Sequence, residues 1–350
     1  MSELQRKMKK IVFLAQSRLN RNAAPKHVPS DHPMLLDTSL YSDNAGDEII
    51  MHFAERQITR IWSDNRFDRL PTHGIACSAT MNDVDRLKLF CGTNALSTRT
   101  NEFALAFSQR AEIYRDLVAL LGVGLKGLQY SSEITPAMAS LLKYLLSNDY
   151  VHSVRDSHTE RALRNIGIDN VINTSCVTMW NLTSQFCSTI PTGMHKDVLT
   201  TITDYDQDSV ADEGMLQTLK RHYRHVYVWL QGVGDERYIS SLNVQGLDFV
   251  RGGFAGLQAF VDAHEDFDYF GTRLHCGIYC LNHGIRSMIV IIDNRARDIY
   301  YDTNIPAVER DELQNSMDEL IEADRPTDIH VPLRSIEKWK SQFMPTGSAD

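Results

Sequence analysis

Short apolar runs, several of them closing on Gly, Ser or Thr, alternate with longer helix-period patterns along most of this 350-residue chain. That alternation is the strongest constraint on the fold, because it is the sequence form of βαβ units with parallel strands. MLLDT (34–38), GIACSAT (74–80), KLFCGTN (88–94), LVALLGVGL (117–125), HSVRD (152–156) and NVINTSC (170–176) read as strands of a first half. A helix is expected from Glu48 through Thr59. SHTERALRNIG forms another, stopping at Gly167, the residue type that favours a helix C-terminus. A second set runs through DVLTTITDY (197–205), HVYVWLQG (225–232), LDFVRGG (247–253), DYFGT (268–272) and RSMIVIID (286–293). Its helices are expected from Asp212 to His222 and from Arg273 to His283. SQFCSTIPTGMHKD (184–197) mixes Ser, Thr, Pro and Gly and reads as the link. The expected architecture is α/β, with two Rossmann-like domains (1–190 and 191–327) facing each other across a cleft. Residues 328–350 add an amphipathic piece, LRSIEKWKSQF, and a tail ending in GSAD.

Composition narrows the class of function. Hydrophobic residues make up 43% and charged residues 23%, a globular balance. The net charge of -9 argues against non-specific nucleic-acid binding, which needs a basic surface, so any anion site is a local exception. The basic opening MSELQRKMKK is followed by only five apolar residues, Ile11 to Ala15, too few for a secretory core, and no window approaches a membrane span. Cys77, Cys91, Cys176, Cys187, Cys276 and Cys280 are scattered and read as reduced thiols of a cytoplasmic protein.

The strand ends carry the chemistry. SDNAGDE, CGTN, GVGL, VRDS, QGVGDE and GTRLH all place Gly or small polar residues where a strand gives way to a helix. Backbone N–H groups there approach a ligand closely, and helix N-termini favour anions. None is a G-x-G-x-x-G fingerprint or a P-loop. In GTRLH, Thr272 reads as the N-cap, with Arg273 and His275 in the first helical turn. Cations at a helix N-terminus need compensation, either from a bound polyanion or from a neighbour such as Asp268. In VRDS, Arg155 has the same placement, with Asp156 as its alternative partner. Cys276, Cys280 and His283 share a helical spacing that suits zinc, but the apolar surroundings favour packing. DYDQDSVADEGM (204–215) starts like a calcium loop but has Ser209 and Met215 where Gly and Glu are required, so it reads as an acidic turn before a helix. His222 and His225 read as structural.

DNAGDE (43–48), SVRD (153–156), CVTMWNL (176–182), WLQGVGD (229–235), DYFGTRLHCGI (268–278) and IDNRARDI (292–299) together resemble the polysaccharide pyruvyltransferase family over about residues 34–302. The resemblance implies a GT-B-like fold and transfer of a pyruvyl group from phosphoenolpyruvate to sugar hydroxyls, usually as a ketal. It implies donor binding by Arg273, Leu274 and His275 with neighbouring Gly271 and Thr272, and Arg155 as a second donor ligand. His275 is the expected general acid, and Asp47 or Asp235 the expected base. Asn44, Gly46 and Asp47 are expected to shape the acceptor side. No cofactor or metal is called for. The implied partners are phosphoenolpyruvate and a sugar or lipid-linked oligosaccharide acceptor, at a cytoplasmic location that includes the inner face of the membrane; an oligomer is open. A nucleotide-sugar glycosyltransferase on the same frame and a non-enzymatic carbohydrate-binding member remain alternatives.

Overall fold

The strands of both main sheets pair in parallel, as the alternation of apolar and helical segments requires. The computed structural model describes residues 3–19, 27–29, 31–62, 66–72, 85–100, 103, 111–126 and 133–344. The expected strand at 74–80 and the GSAD tail lie outside them. Contacts divide the chain into two units, one of 1–42, 50–177 and 332–350, the other of 43–49 and 178–331.

In the first unit α1 (Glu3–Leu19) precedes β1 (Met34–Asp37). Next comes α2 (Ala45–Trp62), whose first turn belongs to the second unit. β2 (Arg69–Pro71), β3 (Lys88–Cys91), the short β4 (Leu96–Ser97), β5 (Val118–Leu121) and the short β6 (Leu125–Lys126) follow. The sheet order is β2-β1-β3-β5, and every residue of β1, β3 and β5 is buried, which explains their unbroken apolar character. After α3 (Pro136–Leu145), β7 (His152–Val154) bridges to Val123 and pairs with β8 (Val171–Asn173) across α4 (Ser157–Asn165). Asp156 caps α4 by accepting from Thr159 N at 2.6 Å. Gly167, at φ +78, ends the helix as its sequence predicts. The amphipathic C-terminal piece forms α12 (Leu333–Ser341), with Ile336 and Trp339 buried.

The second unit is doubly wound. After α5 (Ser184–Cys187), which lies in the stretch read as a link, come β9 (Asp197–Thr200), α6 (Ser209–His222), β10 (Val226–Trp229), α7 (Asp235–Ser241), β11 (Asp248–Val250) and α8 (Gly253–Ala263). β12 (Phe267–Gly271), α9 (Leu274–Asn282), β13 (Ser287–Ile291), α10 (Asn294–Thr303), β14 (Ala307–Glu309) and α11 (Leu313–Glu322) complete it. The order β11-β10-β9-β12-β13-β14 runs outward in both directions from β9 and β12. The winding therefore reverses between those two strands, the place where ligands bind in open α/β sheets.

α6 starts at Ser209, earlier than the sequence pattern implies, because Asp208 caps it by accepting from Ala211 N at 3.1 Å. α9 is buried from Leu274 through Leu281, so Cys276 and Cys280 pack as small hydrophobes. Burial pushes the Cys276 thiol well above its ordinary pKa, holding it protonated.

Candidate anion-binding site

Five chain segments meet at the C-terminal edge of the second sheet. Two of them, the ends of the strands at 197–200 and 267–271, are fixed first by backbone geometry. At the end of β12, Gly271 passes so close to β9 that an added Cβ would lie 2.6 Å from Thr201 N and 3.0 Å from Thr201 O. Any side chain there forces the two strands apart. Thr272 N donates to Thr201 O at 3.0 Å, and the Thr272 hydroxyl donates to the same oxygen at 3.1 Å and lies 2.8 Å from the Thr203 hydroxyl. Thr272 is therefore consumed in tying the two loops together and is not the helix cap. Arg273 occupies the N-cap position, with no side-chain capping bond. Its N donates to Thr201 Oγ1 at 3.1 Å and its O accepts from Tyr269 Oη at 2.8 Å. Leu274 and His275 are then the first two residues of α9, both buried.

The Arg273 guanidinium, 3% exposed, is held by two carboxylates. It donates to Asp235, which is fully buried, and to Asp204 at 3.1 Å. The expected alternative partner, Asp268, is occupied elsewhere, by Arg286, His195 and Tyr223. Asp235 also accepts from the N–H groups of Gln231 (3.1 Å), Gly232 (2.7 Å) and Asp204 (3.2 Å). Burial raises its pKa, opposed by Arg273 and by the Gly232 N–H. A carboxylate with every accepting direction filled suits holding Arg273 better than taking a proton. Gly232 makes room for the fork: an added Cβ would lie 2.7 Å from Arg273 Nη2.

The first turn of α2 joins the same cluster. Asn44 bridges to Gly232, its Oδ1 accepts from Gln231 Nε2 at 2.8 Å and from Gly46 N at 3.0 Å, and Ala45 N donates to Gln231 O at 3.0 Å. Gly46 leaves space for the Gln231 amide, which an added Cβ would meet at 2.8 Å. Asn44 and Gly46 thus shape a loop junction, and Asp47 is carried on the helix turn that follows.

Three participants escaped the sequence reading: Asp204, Tyr205 and Arg295. The Tyr205 ring lies 5.0 Å from the Arg273 guanidinium and 5.4 Å from that of Arg295. Arg295 bonds Asp293 through Nε at 2.9 Å and also contacts the Tyr205 hydroxyl. Burial works to lower the Arg295 pKa, but Asp293, Tyr205 and Asp47 outweigh it, so the guanidinium stays charged. A sequence signal existed. VRD, GTR and DNR each set an arginine just beyond a strand, and only the first two were singled out.

Arg155 sits in the first unit, directly after β7, and is 1% exposed. Its N donates to Val123 O at 3.2 Å, and its Nε donates to Asp156 Oδ2 at 3.1 Å. An added Cβ on Gly124 would overlap Nε and Cζ, so only glycine admits this guanidinium. Nη1 and Nη2 are buried and have no hydrogen-bond partner among the described residues. Such unfilled nitrogens on a buried cation are costly and point to a ligand that supplies the acceptors.

The polysaccharide pyruvyl transferase family model matches residues 44–294, well over half of the sequence. The chain belongs to that family. Every strand-end segment just described, from Asn44 to the Asp293–Asn294 turn, falls inside the match, and Arg295 lies one residue beyond it. No curated protein matches the chain. Among solved structures, UDP-GlcNAc 2-epimerase of Methanocaldococcus jannaschii, in complex with UDP-GlcNAc and UDP, is similar over 87% of this chain and 83% of that one, at 9% identity and a TM-score of 0.45. In this pyruvyl transferase family member, no group of three or more His, Cys, Asp and Glu side chains among the described residues is arranged to hold a metal ion. Asp204 instead pairs with Arg273, Asp206 with Arg310 and Asp208 with the start of α6.

Proposed function

We propose that this protein transfers the pyruvyl group of phosphoenolpyruvate to hydroxyls of a sugar in a polysaccharide or its precursor, forming a ketal. The observation that carries this reading is the Arg155 guanidinium, buried with both outer nitrogens unfilled. A planar fork of that kind matches a carboxylate or phosphate, and phosphoenolpyruvate has both. The Arg-Leu-His block at the winding reversal of the second sheet supports the same donor.

In this scheme Arg273, with Gly271, Thr272 and Leu274 fixing its backbone, is a donor ligand of the second unit. Arg155 is the donor ligand of the first. Asp204, with 28% of its side chain exposed, is the partner of Arg273 that an incoming anion displaces; the fully buried Asp235 stays. His275 delivers a proton to the methylene carbon. Positive charge develops at the neighbouring carbon, and a sugar hydroxyl adds there. The C–O bond to phosphate breaks, and a second hydroxyl closes the ketal. Of the two hydroxyl protons, one replaces the proton now in the methyl group and the other leaves with phosphate. Asp47 is the candidate proton acceptor, since Asp235 is filled.

The test is phosphate release from phosphoenolpyruvate in the presence of an acceptor sugar. Release that His275→Ala abolishes supports the scheme. Nucleoside diphosphate release from a sugar nucleotide, with phosphoenolpyruvate inert, replaces it with a glycosyltransferase. Retained full turnover in His275→Ala removes that residue from the acid role.

A further inference from the structure

Among the described residues, helix α1 has two apolar faces, and only one is packed. Phe13 is fully buried, its ring 6.0 Å from that of Tyr114. Leu14 packs against the same core, and Gln16 Oε1 accepts from Ala111 N at 3.0 Å. On the opposite side Met8, Ile11, Val12 and Leu19 are 55%, 60%, 41% and 84% exposed, with Ala15 exposed between them. Their spacing places them on one arc of roughly 100°. Met8, Ile11, Val12 and Leu19 are also four of the twelve large hydrophobic side chains exposed among the described residues. A solvated helix has no reason to gather them.

Charge says what covers this face. Residues 1–22 contain Arg6, Lys7, Lys9, Lys10, Arg18 and Arg21 against Glu3 alone, in a chain whose net charge is -9. An acidic protein is repelled by an anionic surface unless one segment reverses the sign locally. Here the reversal coincides with a helix that exposes an apolar stripe. A basic helix with an apolar face is the form of an element lying in the plane of a membrane interface. No helix of the described residues is long and apolar enough to cross a membrane. A protein partner accounts for the stripe and the charge only if its own facing surface is acidic, the outcome the dimer test below detects.

We propose that α1 is an in-plane anchor that lays Met8, Ile11, Val12 and Leu19 into the surface of a bilayer containing anionic lipid. This inference does not depend on the reaction assigned above. The test is flotation of the full chain with vesicles of phosphatidylcholine alone and of phosphatidylcholine mixed with phosphatidylglycerol. Binding to the mixed vesicles is expected to be at least about tenfold tighter and to weaken with salt. Ile11→Asn combined with Leu19→Asn is expected to abolish it without moving the thermal midpoint, since both side chains are exposed. Lys9→Gln combined with Lys10→Gln is expected to weaken binding to mixed vesicles only. The proposal is overturned by equal affinity for neutral and anionic vesicles, by no binding to either, or by the Asn variant binding unchanged. It is also overturned if light scattering shows a dimer that the Asn variant converts to monomer, because a second copy then covers the stripe.

Discussion

Arg155 and Arg273 are the same device built to opposite finish. Each follows a parallel strand, each is almost wholly buried, and each guanidinium lies where a glycine leaves room, Gly124 for one and Gly232 for the other. Arg273 is answered by Asp235 and Asp204, whereas among the described residues Arg155 touches Asp156 through Nε alone and leaves both outer nitrogens empty. The difference separates two jobs that one residue type can do. A filled fork stiffens its surroundings and must exchange a partner to take a ligand. An unfilled one carries an unmet demand that a ligand satisfies.

Replacement by alanine gives the largest expected contrast. Arg273→Ala strands the buried Asp235, so it is expected to cost about 3–5 kcal/mol in denaturant unfolding as well as turnover. Arg155→Ala removes a guanidinium bonded only through Nε and leaves Asp156 still capping α4, so its stability loss is expected to stay below that of Arg273→Ala, at about 1–3 kcal/mol, while phosphoenolpyruvate binding disappears. Equal stability losses in the two variants would erase the comparison.

Acid is expected to separate the units next. In the first, burial lowers the pKa of His152 from 6.5 to about 4, with the Ser147 carbonyl bond opposing. The folded state refuses a proton that the unfolded chain accepts, so stability falls as pH drops from 6.5 towards 4, by about 3 kcal/mol from this group. In the second unit, burial raises the Asp212 pKa, so its contribution is present at low pH and is lost as pH rises through its folded value. Peptide-level hydrogen exchange is expected to show β7 and its neighbours opening first on acidification, a difference that His152→Gln removes.

The smallest effect sharpens the displacement idea. Asp204→Asn takes a competing charge from Arg273 while Asp235 remains. It is expected to tighten phosphoenolpyruvate binding a few-fold by calorimetry, roughly 1 kcal/mol. Weaker binding would mean that Asp204 orients Arg273 and is not displaced.

Much of the fold was legible because short apolar runs alternating with helical segments read as buried parallel strands, and the runs at 34–38, 88–94, 197–205 and 286–293 contain β1, β3, β9 and β13. The Arg-Leu-His position was legible for the same reason, since a strand that closes on Gly-Thr must turn there. Partnership was not legible. Asp204 looked like part of a failed calcium loop, and nothing in its local spacing reveals a bond to a residue 69 positions away. Thr272 looked like a cap because its type favours that place; the nearby Thr201 carbonyl, a tertiary neighbour, claimed its hydroxyl instead.

Neither unit is a continuous stretch of chain: residues 43–49 group with 178–331, and 332–350 with the earlier segments. Chimeras of related enzymes that join a front half to a back half at one crossover will therefore mismatch the strip bearing Asn44 against a foreign Gln231 loop. An exchange meant to keep the Asn44–Gln231 junction intact must move 43–49 together with the back half, as two grafts and not one.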